Sequence, residues 1–157
     1  MFKSAVLAYD HRVDKKYIDK IKEVLSANKI MIDEVLDSCE TNDYPLLAQE
    51  AYRRMNENKN DLMVLLCGTG IGMNVVANKF DKIRAVLANS EAEAYFARRH
   101  ENANCIVFGA GYGDEVYEIK LCKRKMARML ETFLTTDFEA GRHIRRIEQI
   151  GQIENNN

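Results

Sequence analysis

Five short, β-rich apolar runs alternate with helix-patterned segments along this chain, and that alternation restricts the fold more than any other feature of the sequence. The runs are Ser4–Tyr9, Ile30–Leu36, Leu62–Leu66, Ile83–Ala88 and Cys105–Phe108. Between them, Ile18, Ile21, Val24 and Leu25 form one stripe at helical spacing, and Leu47, Ala51, Tyr52 and Met55 form another. Strands that alternate with helices imply an α/β fold, an open and mostly parallel sheet of about five strands covered on both faces. A long helix is expected after the fifth run, with Ile119, Cys122, Met126, Met129, Leu130 and Phe133 on one side. The 157 residues fit a single domain, 1–157, ending in the polar run Glu154-Asn155-Asn156-Asn157. Near that end Ile144, Ile147, Ile150 and Ile153 recur every three residues. This stripe fits either a terminal helix packed on its own domain or an arm, about 137–153, docked on a partner subunit.

Composition removes several classes of function. A formal net charge of −1 gives no basic field for nucleic acid or a membrane surface. No apolar run reaches membrane-spanning length, and no secretory pattern follows Met1. The four cysteines, at 39, 67, 105 and 122, form no C-x-x-C pair and no zinc-type spacing. They are read as free thiols in a reducing cytosol, with neither metal nor cofactor expected. Cys39, Cys105 and Cys122 are expected to be structural and buried.

In sheets of this kind, ligands bind beyond the carboxyl ends of the strands. Asp10-His11-Arg12 follows the first run and Cys67-Gly68-Thr69-Gly70-Ile71-Gly72 the third; Asn89 and Ser90 follow the fourth, and Gly109 to Gly113 the fifth. The third of these strand-to-helix turns is the most informative. Its alternate glycines free the backbone to turn sharply and aim N–H groups at one point, as an anion or a developing enediolate requires. It lacks the third glycine of a dinucleotide fingerprint, since Met73 stands there, and it lacks the Gly-Lys-Ser/Thr of a P-loop. A thiol facing such a loop has a larger thiolate fraction, and a thiolate can take a proton from carbon. His11 follows an aspartate that can orient an imidazole. His100 falls near the end of the helix before the fifth strand, hence at the amino edge of the sheet and away from its own Cys67. A catalytic His100 would therefore serve a neighbouring subunit. Arg142 and Arg146 lie four apart on one helix face, which suits a phosphate dianion.

Taken together, Asp10-His11, Asn42-Asp43-Tyr44-Pro45, the Cys67 to Gly72 stretch, Ala77-Asn78-Lys79-Phe80, Ile83-Arg84-Ala85-Val86, His100, Asn104 and Gly141-Arg142-His143 resemble the type B ribose-5-phosphate isomerase family, which also includes the subunits of galactose-6-phosphate isomerase. The resemblance runs over nearly the whole chain. It implies a Rossmann-like three-layer α/β/α sandwich with a C-terminal helical arm, assembled as a homodimer or homotetramer with shared active sites. It implies aldose–ketose isomerisation of a phosphorylated sugar, ribose 5-phosphate to ribulose 5-phosphate, without metal or cofactor. By the same resemblance Cys67 moves a proton between C1 and C2, Thr69 assists proton traffic between the oxygens, and the backbone of Gly68, Gly70, Ile71 and Gly72 holds the enediolate. His100, with Asp10 nearby, opens the furanose ring; His11, Arg142 and Arg146 hold the phosphate, and Tyr44 lines the pocket. The sequence departs from the family pattern in three places. Arg12 and Val13 replace a small residue and a glycine, Glu101 replaces an asparagine that meets substrate hydroxyls, and Gly111 stands near a usual arginine. Arg12 is a candidate replacement for that cation. These departures leave a hexose 6-phosphate open as the substrate, along with a non-catalytic sugar-phosphate-binding subunit.

Overall fold

The longest uninterrupted apolar run, Leu62 to Cys67, becomes the central strand, because only a strand covered on both faces can bury every side chain. The computed structural model describes residues 1–36, 43–113 and 118–155. Cys39, Asn42, Asn156 and Asn157 lie outside the described residues. In chain order the elements are β1 (Ser4–Tyr9), α1 (Lys15–Ala27), β2 (Met31–Leu36), α2 (Tyr44–Glu57), β3 (Leu62–Cys67), α3 (Ile71–Ala77), β4 (Ala85–Leu87), α4 (Glu91–Glu101), β5 (Cys105–Gly109), β6 (Tyr112–Gly113), β7 (Glu118–Ile119), α5 (Lys123–Thr135) and α6 (Arg142–Asn155). Local chemistry sets several boundaries. Asp14 caps α1 by accepting from the Lys16 N–H, Pro45 sits in the first turn of α2, and Ser90 with Glu93 forms a reciprocal capping box on α4.

The five-stranded sheet is parallel throughout, in the order β2-β1-β3-β5-β4. Its alternating side chains divide the core into two layers. Leu7, Leu62, Val64, Leu66, Ile106 and Phe108 face α1, α4 and α5, meeting Ile21, Leu25, Met129 and Phe133. Val6, Ala8, Met63, Leu65, Cys67 and Val107 face α2 and α3, meeting Leu47, Ala51, Met55 and Met73. This is the expected Rossmann-like sandwich. The period-2 register also assigns Cys67, in step with Met63 and Leu65, to the α2–α3 side.

The structure corrects the expected helix after the fifth strand. Gly111, at φ +133°, turns the chain away from the sheet, and Tyr112–Gly113 then pairs antiparallel with Glu118–Ile119. Ile119 therefore lies in a small hairpin, and α5 begins only at Lys123, with Met126, Met129, Leu130 and Phe133 on its buried face as expected. Cys122 is the exposed N-cap residue of α5 rather than a buried structural thiol. Cys105 is fully buried, and burial pushes its thiol well above the usual range.

One buried cation fixes the end of α4. Arg98 is 8% exposed, lies over the rings of Phe2 (4.6 Å) and Phe133 (5.6 Å), and donates to the Ala103 carbonyl and to Asn102 Oδ1. Those bonds hold the left-handed Asn102 turn that ends α4, immediately after His100 and Glu101. Arg98→Ala would leave a buried carbonyl unpaired and a void between two aromatic rings. The variant should lose about 3 kcal/mol of stability, read from urea unfolding.

Candidate active site

The sheet order reverses between β1 and β3, and a crevice opens where strand order reverses in such a sheet. Asp10 leaves β1 at that point, its N–H bonded to the Leu66 carbonyl (3.1 Å), and Cys67 ends β3 beside it. Two glycines bring the Cys67 loop down onto the neighbouring strand. Gly70 has φ +76°, and a Cβ there would stand 2.5 Å from Leu87 Cδ1 and 2.8 Å from the Gly109 nitrogen. A Cβ on Gly109 would stand 2.4 Å from the Thr69 carbonyl oxygen. Only glycine permits this approach without displacing backbone.

The fold of the loop returns the Gly70 N–H to Cys67 Sγ at 3.3 Å, while the Ile71 N–H meets Thr69 Oγ1 at 3.2 Å. Ala110 N–H to the Cys67 carbonyl (2.9 Å) and Gly111 N–H to the Gly68 carbonyl (3.0 Å) tie the loop to the segment after β5. Cys67 is 6% exposed and lines a cavity of about 440 Å³ with Asp10, Thr69, Gly72 and Tyr44. The Tyr44 ring crosses Gly72, where a Cβ would come within 2.6 Å of it.

Asp10 is the buried charge of this cavity. Arg12 donates to it from Nε (2.9 Å), from Nη2 (2.5 Å) and from its backbone N–H (2.9 Å), and His11 Nδ1 lies 3.4 Å away. The Arg12 bonds, against the opposing effect of burial, hold the Asp10 carboxyl below the usual range. The stabilisation that follows is present above the unfolded carboxylate range and is lost as pH falls through the lowered value. The fork of Arg12, the candidate replacement cation, grips Asp10 while the side chain stays largely exposed.

A second group lies at the opposite edge of the sheet. His100, on the last turn of α4, does not line the Cys67 cavity. Its ring stacks on His143, with centroids 4.3 Å apart and planes within 9°, and meets Phe96 on α4 at 4.9 Å. Glu139 Oε2 is 4.0 Å from His100 Nε2 and 2.8 Å from Arg99 Nε. Arg142 and Arg146 open α6 beside this stack, and Glu101 follows His100. A cavity of about 720 Å³ runs from here between α4 and α6, bordered by Phe96, His100, Glu101, Ile150 and Ile153. His100, Glu139 and His143 bring ligand-type atoms within 4.8 Å of one another. The parallel imidazoles, however, run their in-plane lone pairs side by side rather than toward one metal ion.

The geometry therefore pairs a glycine-cradled thiol at one edge with an imidazole and two guanidinium groups at the other. Residues 6–150 match the family model described as Ribose/Galactose Isomerase. The chain belongs to that family. It is 34% identical over 124 residues to "Ribose-5-phosphate isomerase B" of Escherichia coli, covering 79% of this chain and 78% of the relative. Identity to "Ribose-5-P isomerase B" of Listeria innocua is 30% over 114 residues, or 73% and 72% of the two chains. Among solved structures, type B ribose 5-phosphate isomerase from Leishmania infantum superposes with a TM-score of 0.83 at 31% identity over 99% of both chains. The Thermotoga maritima ribose 5-phosphate isomerase gives 0.77 at 31% identity over 96% of this chain and 98% of that one.

Within this family member, the sequence-derived site residues fall into two sets that one chain does not bring together. Asp10, His11, Tyr44, Cys67, Gly68, Thr69, Gly70, Ile71 and Gly72 gather at the carboxyl edge; His100, Glu101, Arg142 and Arg146 gather around α4 and α6. Sequence reasoning missed Tyr112, whose Cβ would lie 3.3 Å from a Cβ on Gly68 and which closes one wall of the Cys67 cavity. Its signal was its place just beyond the fifth strand. His143 was missed as well, its buried position masked by the polar Arg142 to Arg146 context. Gly70→Ala should destabilise the protein by about 2 kcal/mol and shift the Gly109 amide in a heteronuclear NMR spectrum.

Proposed function

We propose that the protein interconverts an aldose phosphate and the matching ketose phosphate, ribose 5-phosphate and ribulose 5-phosphate first among them, with Cys67 as the base. The observation that carries this reading is the Gly70 N–H directed at Cys67 Sγ in the crevice between β1 and β3. That contact holds the sulfur at the mouth of the crevice, where as a thiolate it can take a proton from carbon. The thiolate takes the C2 proton of the open-chain aldose, and the C–H electron pair becomes the C1–C2 double bond. Thr69 relays the O2 proton to O1, and Cys67 returns its own proton to C1. Because the Gly70 and Ile71 N–H groups are engaged within the loop, the enediolate contacts fall to Gly68, Thr69 and Gly72.

The second set of residues completes this site from another copy of the chain. Leu46, Ile71 and Val75 expose apolar side chains beside the Cys67 cavity, while Phe96, Ile150 and Ile153 expose theirs along α4 and α6. Two such faces on one molecule suit an isologous pair, each copy's α4–α6 face on the other's α2–α3 face. That pairing brings the partner copy's His100 to open the furanose ring and its Arg142 and Arg146 to hold the phosphate, with this chain's His11. The isoleucine row of α6 then becomes the docking arm. A reducing compartment suits an unpaired thiolate, so the cytosol is the proposed location, and no described helix is long and apolar enough to cross a membrane.

A panel of ribose 5-phosphate, allose 6-phosphate and galactose 6-phosphate, assayed with a chelator present, tests the substrate. Glu101, at the end of α4, adds a negative charge where sugar hydroxyls would lie, which makes a hexose 6-phosphate the second reading. Cys67→Ala should lower turnover of the best substrate by roughly three orders of magnitude or more, with binding by calorimetry little changed. Near-normal turnover by that variant would remove Cys67 from the role of base.

A further inference from the structure

His143 is among the few buried polar residues of the chain, at 1% exposed, yet the isomerisation steps above make no use of it. Its Nε2 accepts a long bond from Arg142 Nε (3.4 Å), and its buried Nδ1 has no hydrogen-bond partner among the described residues. A buried imidazole with so little hydrogen bonding needs another reason to be there. What it does contact is His100, face to face at 4.3 Å and 9°. Phe96 meets the His100 ring at 4.9 Å and 44°, so the plane of that imidazole is set by two neighbouring rings.

The chain seats His143 with some precision. Ala140 and Gly141, both at positive φ (59° and 56°), turn the backbone into α6. The Glu139 N–H bonds the Arg99 carbonyl at 2.9 Å, and the Glu139 carboxylate pairs with Arg99 Nε at 2.8 Å. These contacts clamp the entry of α6 onto the end of α4, one residue from His100. Burial first, then His100 and Arg142, with a smaller contribution from Arg146 and against the opposing pull of Glu139, hold His143 below the usual imidazole range.

We infer that His143 is a positioning residue for His100: a buried imidazole that fixes by stacking the plane in which His100 presents its ring nitrogens to the sugar ring oxygen. This deepens the reading of His100 as the ring-opening group and rests on it.

Two reactions of the same protein separate this role from a structural one. Conversion of ribose 5-phosphate needs ring opening and proton transfer. Ribulose 5-phosphate has its 5-oxygen blocked and is open-chain, so exchange of its C1 hydrogen with deuterium oxide, followed by NMR, needs only the Cys67 proton transfer. His143→Ala should slow conversion by about 10- to 100-fold while C1 exchange stays within about twofold of the unaltered protein. His143→Phe, which keeps a flat ring against His100, should recover most of the lost conversion. Unchanged conversion in His143→Ala, a parallel fall of both rates, or a Phe variant no better than the Ala variant would overturn the inference. His100→Ala serves as the reference. If it slows both reactions equally, the ring-opening assignment itself is wrong, and the role of His143 falls with it for that separate reason.

Discussion

The approach of two backbones, Gly70 over Gly109, is the constraint on which the site depends. It lets the loop after the central strand fold back far enough for an N–H to reach the sulfur of the residue that ends that strand. The same approach ties the loop through Ala110 and Gly111 to the segment beyond β5 and so closes the cavity floor. The donors belong to the main chain, are fixed before substrate arrives, and sit where strand order reverses and a crevice must form.

Charge is arranged around that thiol with equal economy. Asp10, nearly inaccessible to water, would be costly without a partner, and Arg12 supplies three bonds to it. At the other edge of the sheet two more guanidinium groups, Arg142 and Arg146, stand on α6 with the His100 stack, and Arg142 Nε donates to His143. The proposed base and the proposed phosphate ligands thus stand at opposite edges of one sheet. The proposed pairing of two copies would bring those edges together.

Much of this was legible in the sequence. Apolar runs alternating with helical stripes dictated the layers, and the run at Leu62–Leu66 was legible as a strand; that this strand is the central one is read from the sheet order. The Cys67 loop announced itself through alternate glycines, and the place of His100 followed from the rule that a helix preceding a strand ends at the amino edge. Three features were not legible, each for a physical reason. Ile119 and Cys122 sit at helical spacing from Met126, and periodicity alone cannot register that a left-handed glycine at 111 has diverted the chain into a hairpin. Arg12 resembled a free cation because its partner, Asp10, lies only two residues away, where a side-chain bond depends on local backbone shape. His143 stands in a polar, arginine-rich stretch that gives no sign of burial, whereas the turn through Ala140 and Gly141 brings it inward against His100.

The most direct test of the central claim, that each site joins the Cys67 loop of one copy to the His100 face of another, is complementation between two inactive variants. Cys67→Ala and His100→Ala proteins would be unfolded together, refolded at equal concentration and assayed with ribose 5-phosphate. Random pairing gives half mixed pairs, each with one site that holds both native groups, so activity should return to about one quarter of that of the unaltered protein. A mixture no more active than the two variants alone, from material shown to contain mixed pairs, would contradict the account.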